Sequence, residues 1–163
     1  MLDGLPATFP ALEENIRCDV AVLGGGITGA LVAWHLAEAG IETVVLDNGE
    51  VAHGSTSGST CLLQYELDEP LHRLSERFGT DFAVRSYRRC RDALDALERL
   101  VRQQGIACDF ERKPSLLLAS RPEHVLRLRR EYEARRAAGF AVEWWPRQRL
   151  AAASTLRHRA AIV

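Results

Sequence analysis

Apolar positions change their period several times along this chain, and the changes predict its elements. CDVAVLGG (18–25) is a compact apolar run ending in glycine, the profile of a strand buried in a parallel sheet. In ITGALVAWHLAEA (27–39), Ile27, Ala30, Leu31 and Trp34 recur at helical spacing, and Gly40 follows as a stop signal. IETVVLD (41–47) is again β-branched and apolar, closed by an acid. Strand, glycine turn, helix and strand in about thirty residues predict a βαβ unit with a right-handed crossover.

Beyond it the pattern changes. NGEVAHGSTSGSTC (48–61) is a loop dense in Gly, Ser and Thr, followed by the apolar CLLQY. Val84, Tyr87, Cys90, Leu94, Leu97 and Val101 mark a long amphipathic helix that stops before Gly105. IACDFERKPSLLLAS (106–120) predicts two short strands around Lys113-Pro114. Pro122 then sits where a first helical turn tolerates proline. Val125, Leu128 and Tyr132 give the next helix a narrow apolar stripe, and Gly139 ends it. FAVEWW (140–145) predicts a strand, and Pro146 opens another short turn or helix. The expected organisation is an N-terminal extension (1–17), a dinucleotide-binding βαβ unit with its loop (18–67), a helical segment (68–105), and the start of an α+β substrate-side region (106–163). One βαβ unit leaves its strands short of partners, and AAIV (160–163) opens an apolar run at the last residues. The expectation is an incomplete α/β fold, the N-terminal part of a longer protein.

Composition narrows the class. The 163 residues are 47% hydrophobic and 26% charged, the balance of a globular protein. No apolar stretch is long enough for a transmembrane segment, and residues 1–17 lack the basic start and apolar run of a secretory signal. A cytoplasmic location is the expectation. The net charge of −1 gives no reason to expect nucleic acid. The arginine-dense stretches RSYRRCR (85–91) and RLRREYEARR (127–136) predict solvated helix faces, since acids interleave in the second. Cys18, Cys61, Cys90 and Cys108 are scattered, with no metal-ligand spacing, and predict reduced, mostly buried side chains. His35 and His72 fall on predicted helices, as surface or core residues.

The chemistry concentrates at VLGGGITGA (22–30). Gly24, Gly26 and Gly29 fulfil G-x-G-x-x-G: the first for a tight turn, the second for close approach of a pyrophosphate, the third for helix–sheet packing. Ala33 extends that packing face. The helix starting near Ile27 aims its free N–H groups and positive dipole end at a phosphate, and the Thr28 hydroxyl in its first turn serves either that phosphate or local backbone capping. Asp47 ends the second strand 18 positions after Gly29, the placement of a carboxylate that bonds ribose hydroxyls and repels a 2′-phosphate. These features predict dinucleotide binding but leave FAD and NAD both open. The donor-rich loop at 53–60 suits pyrophosphate or ribityl oxygens, which tilts the reading toward FAD.

DVAVLGGGITGALVAWHLAEAGIETVVLD followed by HGSTSGSTCLLQYEL resembles the amino-terminal part of the D-amino-acid oxidase/glycine oxidase-like flavoenzymes. Glycerol-3-phosphate dehydrogenases carry a similar Ser/Thr loop. The resemblance covers residues 15–67 firmly and the rest in element order. It implies an FAD-dependent oxidoreductase in which Gly24, Gly26 and Gly29 hold the pyrophosphate and Asp47 the adenosine ribose. Ser55, Thr56, Ser59 and Thr60 would line the pyrophosphate–ribityl side. It also implies a small amine or amino-acid substrate, oxidised at C–N by hydride transfer to flavin, with the product imine then hydrolysed. Some relatives attach flavin through a His or Cys near this loop. His53 precedes the Ser/Thr run and does not match that position, and a covalent link through His53 or Cys61 is the lesser alternative to non-covalent flavin. No catalytic acid, base or anion clamp is visible in 106–120 or 140–145. The competing readings are an NAD-binding dehydrogenase domain and a catalytically silent nucleotide-binding fragment.

Overall fold

A computed structural model describes residues 8–163 and divides the chain into two compact units, one through Leu62 and one over Leu63–Val163. The first seven residues of the expected extension lie outside the described residues; residues 8–17 form neither helix nor strand.

The first unit is the expected βαβ. Strands β1 (Val20–Leu23) and β2 (Thr43–Leu46) pair in parallel, with Val20 opposite Thr43 and Leu23 opposite Leu46. Helix α1 (Ile27–Glu38) connects them. Its end follows from sequence: Gly40 takes φ +73°, and the Ile41 N–H donates to the Leu36 carbonyl. That six-to-one bond satisfies a carbonyl the helix leaves orphaned. Residues 51–58 form consecutive turns.

The second unit opens with α2 (Leu71–Phe78) and α3 (Thr80–Gln103), two helices separated by Gly79. Strand β3 (Leu117–Leu118), helix α4 (His124–Ala137), strand β4 (Trp144–Pro146), helix α5 (Arg147–Ala153) and strand β5 (Ala160–Ile162) follow. Helices α3 and α4 end on Gly105 and Gly139 through the same six-to-one bond seen after α1. The antiparallel sheet has the order β3-β5-β4. Ala160–Ile162 of the apolar run at 160–163 is therefore its central strand, fully buried, with Leu117 and Trp144 both opposite Ile162.

Of the three strands expected in 106–120 and 140–145, one is absent and two are short. Residues 106–116 contain no strand: Asp109 has φ +52°, Pro114 lacks a donor, and Arg112 is drawn to Asp95 and Glu98 on α3. The strand expected at 140–145 is regular only from Trp144, because Phe140 is taken up by the core and its N–H by the Arg135 carbonyl.

Leu71, Leu74, Ala83, Tyr87 and Phe140 form one core cluster; Ala119, Leu128, Ala160 and Ile162 form a second. Each large side chain fully buried there stabilises the unit by about 1.5–3 kcal/mol. Within α4, two residues expected on a solvated face are buried instead, Glu131 at 1% and Arg135 at 3% exposure. They escape the cost of buried charge by pairing with each other, Nε to Oε1 at 2.6 Å. Arg135 also reaches Glu66, and the Glu131 carboxylate accepts the N–H groups of Leu71 and His72 at the start of α2. The cysteines are less buried than expected: Cys61 and Cys108 are exposed, Cys18 and Cys90 half-buried.

Candidate functional site

The sequence motif becomes a site because β1 delivers three glycines into a turn that must be both tight and close to its neighbours. Gly24 has φ +105°, outside the range of ordinary side chains. Its N–H donates to the Leu46 carbonyl at 2.7 Å, which ties the turn to the end of β2. Gly29 lies so near that its missing Cβ would stand 1.9 Å from the Gly24 carbonyl oxygen. Any side chain there would push α1 off the strand.

Asp47 sits one residue past β2 with both oxygens engaged. Oδ2 accepts the Gly25 N–H at 2.6 Å and Oδ1 the Gly49 N–H at 2.9 Å. These backbone donors, Gly25 first, hold its carboxyl below the usual carboxylate value, so it stays an anion. Asp47 is exposed, and a carboxylate accepts more than these two bonds, which leaves acceptor capacity for a hydroxyl pair.

The start of α1 is equally specific. Gly26 is its N-cap and has no side chain to cap with; the Thr56 hydroxyl, from the loop, instead accepts the Ile27 N–H at 3.0 Å. A Cβ on Gly26 would meet that same Thr56 oxygen at 3.0 Å. An oxygen atom thus already occupies one position at a helix end that favours anions. The Thr28 and Gly29 N–H groups have no intrahelical acceptor.

Together these residues line an open groove of about 800 Å³, bordered by Gly24, Gly26, Thr28, Asp47, Ser55 and Thr56. Ser59 borders it too; Thr60 is exposed and lies outside the lining. Ser57 turns its hydroxyl inward to the carbonyls of His53 and Gly54. His53 is at the groove wall and exposed, whereas His35 edges against Trp34 on α1. Two contributors escaped the sequence reading. Gly25 was only a variable position of the motif, yet it is the sole buried residue of this unit among those described. Val51, half-buried in the returning loop, packs against it. A continuous run of three glycines was the available signal for the first; nothing local marks the second.

No group of metal-ligating side chains is present among the described residues, and no helix there is long and apolar enough to cross a membrane. The groove's chemistry is that of backbone donors, hydroxyls and one carboxylate, suited to a phosphate-linked ligand carrying a diol. That donor set fits an adenine dinucleotide.

Comparison with known proteins agrees. Residues 19–163 match the DAO family, described as FAD dependent oxidoreductase. The chain is 29% identical over 127 residues to a Bacillus subtilis (strain 168) protein named as a Rieske 2Fe-2S iron–sulfur protein, covering 78% of this chain and 25% of that one. It is also 29% identical over 127 residues to gamma-glutamylputrescine oxidoreductase of Escherichia coli (strain K12), covering 78% and 30%. The chain thus spans about a quarter to a third of the length of these relatives. Its structure superposes on glycine oxidase from Geobacillus kaustophilus with a TM-score of 0.66 at 25% identity, over 90% of this chain and 39% of that one. The chain belongs to the DAO family of FAD-dependent oxidoreductases.

Proposed function

We propose that this chain supplies the adenine-dinucleotide-binding part of an FAD-dependent enzyme that oxidises the C–N bond of a small amine or amino acid. The observation that carries the proposal is the Asp47 carboxylate, held by Gly25 and Gly49 beside the open N-terminus of α1. In this reading Asp47 accepts the hydroxyls of the adenosine ribose. Gly24, Gly26, Thr28 and Gly29 present backbone donors and room to the pyrophosphate, while Ser55, Thr56 and Ser59 flank its onward path. The anionic Asp47 repels a 2′-phosphate and so disfavours NADP.

When bound, flavin supplies the hydride-accepting chemistry. The groove binds and orients the nucleotide end; none of its residues stands as an acid or base for a substrate proton. The amine or amino-acid class rests on relatives matched over most of this chain, among them gamma-glutamylputrescine oxidoreductase and rat dimethylglycine dehydrogenase, 32% identical over 69% of it. Similarity to alpha-glycerophosphate oxidase is higher, 51%, but confined to 28% of the chain. It supports the shared nucleotide site more than an alcohol substrate.

Titrating the protein with FAD and with NAD, followed by flavin fluorescence and calorimetry, tests the reading. FAD is expected to bind more tightly, and Asp47→Ala to weaken it about tenfold, the loss of one charge-assisted contact. Preference for NAD, or indifference to Asp47→Ala, would overturn it.

A further inference from the structure

Gly25 is gripped on three sides. Its N–H donates to Asp47 Oδ2 at 2.6 Å, and its carbonyl accepts the Ala52 N–H at 3.0 Å. On the third side, a Cβ would stand 2.7 Å from Val51 Cγ1, 3.2 Å from Val51 Cβ and 3.3 Å from Asp47 Oδ2. The chain after β2 therefore turns out through Asn48 and Gly49 and comes back onto the glycine turn, where Val51 fills the space a side chain on residue 25 would need. Closing this return places Ala52 at φ +62°, a conformation that side chains other than glycine's rarely adopt. Such a conformation persists where its surroundings over-determine it. Here the Ala52–Gly25 hydrogen bond and the Val51 contact supply that constraint.

We propose that Gly25 and Val51 are a size-matched pair of positioning residues that aims the Asp47 carboxylate at the nucleotide ribose. This rests on reading the groove as a dinucleotide site. Asp47 is exposed, so no packing of its own fixes its rotamer; its direction is set by the two backbone donors. One of these, Gly25, keeps its place because residue 25 has no side chain, and Val51 packs into the space that leaves. A methyl on residue 25 has to displace either Val51, and with it the returning loop, or the carboxylate itself.

The test is a double-mutant cycle on the full chain, read by FAD titration and by the residue-25 amide signal in proton–nitrogen NMR of the ligand-free protein. Gly25→Ala is expected to weaken FAD binding at least about tenfold, and Val51→Ala about threefold, because the loop then loses its backing. The double variant is expected to bind clearly more tightly than Gly25→Ala, because the 2.7 Å clash with Val51 Cγ1 is gone. It is expected to stay short of Val51→Ala, because the Cβ of residue 51 and Asp47 Oδ2 still stand 3.2 and 3.3 Å away. In the wild type and in Val51→Ala, the residue-25 amide shift follows the titration of the Asp47 carboxylate. That dependence is lost in Gly25→Ala and regained in the double variant. Wild-type binding by Gly25→Ala, or a double variant as weak as Gly25→Ala, overturns the pairing while leaving the dinucleotide site intact. If the wild type binds no FAD, the functional reading fails. The amide signal then decides the pair alone, and a dependence on the carboxylate that survives in Gly25→Ala refutes it.

Discussion

The two units of this chain are held in opposite ways. In the first, a single described residue, Gly25, is buried, and α1 buries none. Leu23 is 81% exposed at the end of β1. Its specific geometry comes from backbone contacts, glycine against carbonyl and amide against carboxylate. The second unit has two apolar clusters, with Tyr87, Leu71 and Leu150 fully enclosed and a buried Glu131–Arg135 pair. The difference teaches where precision is kept. A nucleotide cradle needs backbone exposed to its ligand, so its residues cannot also be sealed in a core. The sealed unit tolerates charge inside because Glu131 and Arg135 are matched to each other.

The comparison breaks most severely at Glu131. Glu131→Ala leaves the buried Arg135 charge with Glu66 alone and removes the acceptor for two α2 amides. A loss of about 3–5 kcal/mol is expected, read by chemical denaturation with Trp144 and Trp145 as reporters. Acid probes the same pair. Burial alone would raise the Glu131 pKa, but hydrogen bonds from the His72 backbone and ring and from Arg135 outweigh it and lower the pKa below its ordinary 4.5. A depressed carboxyl stabilises the fold above the ordinary value and loses that contribution as pH falls through the lowered one. The denaturation midpoint is therefore expected to fall on acidification below about pH 4.5, and to do so less in Glu131→Gln.

In the first unit the sharpest break is Gly29→Ala, whose Cβ meets backbone instead of a yielding side chain. FAD affinity is expected to drop at least about tenfold, together with a loss of helical circular dichroism; retained affinity would show that α1 shifts without consequence. A smaller effect belongs to Tyr87→Phe. It keeps the ring but removes the 2.9 Å bond to the Glu69 carbonyl, costing about 0.5–1.5 kcal/mol by denaturation. The same burial, with Glu131 nearby, pushes the Tyr87 hydroxyl up to about 12, so it donates at every ordinary pH. Smallest of all is Arg102→Ala: Arg102 pairs with Glu98 on the surface of α3, and its removal is expected to cost about 0–1 kcal/mol and to vanish at high salt.

Much of the first unit was legible because its signals are local. Three glycines after an apolar run, an acid 18 residues on and a glycine stop at Gly40 each act within a few residues of where they are read. The segment 106–116 was misread because its apolar letters carry no notice that Arg112 would be drawn to α3. Within RLRREYEARR most charges are exposed as expected, but Glu131 and Arg135 were misread for the same kind of reason: they look solvated until residues some 60 positions away supply their partners.

The sequence by itself determined the βαβ unit, its glycine turn, the helix ends at Gly40, Gly105 and Gly139, and the carboxylate at the end of β2. Periodicity, glycine's freedom at positive φ and short loops act between near neighbours, so a string of residues records them. Only the tertiary structure decided that 160–162 is a central strand, that Glu131 and Arg135 go inside, and that Val51 backs Gly25. Each depends on a partner far along the chain or on the shape of a returning loop. Burial and steric fit are properties of what surrounds a residue, and sequence order does not carry them.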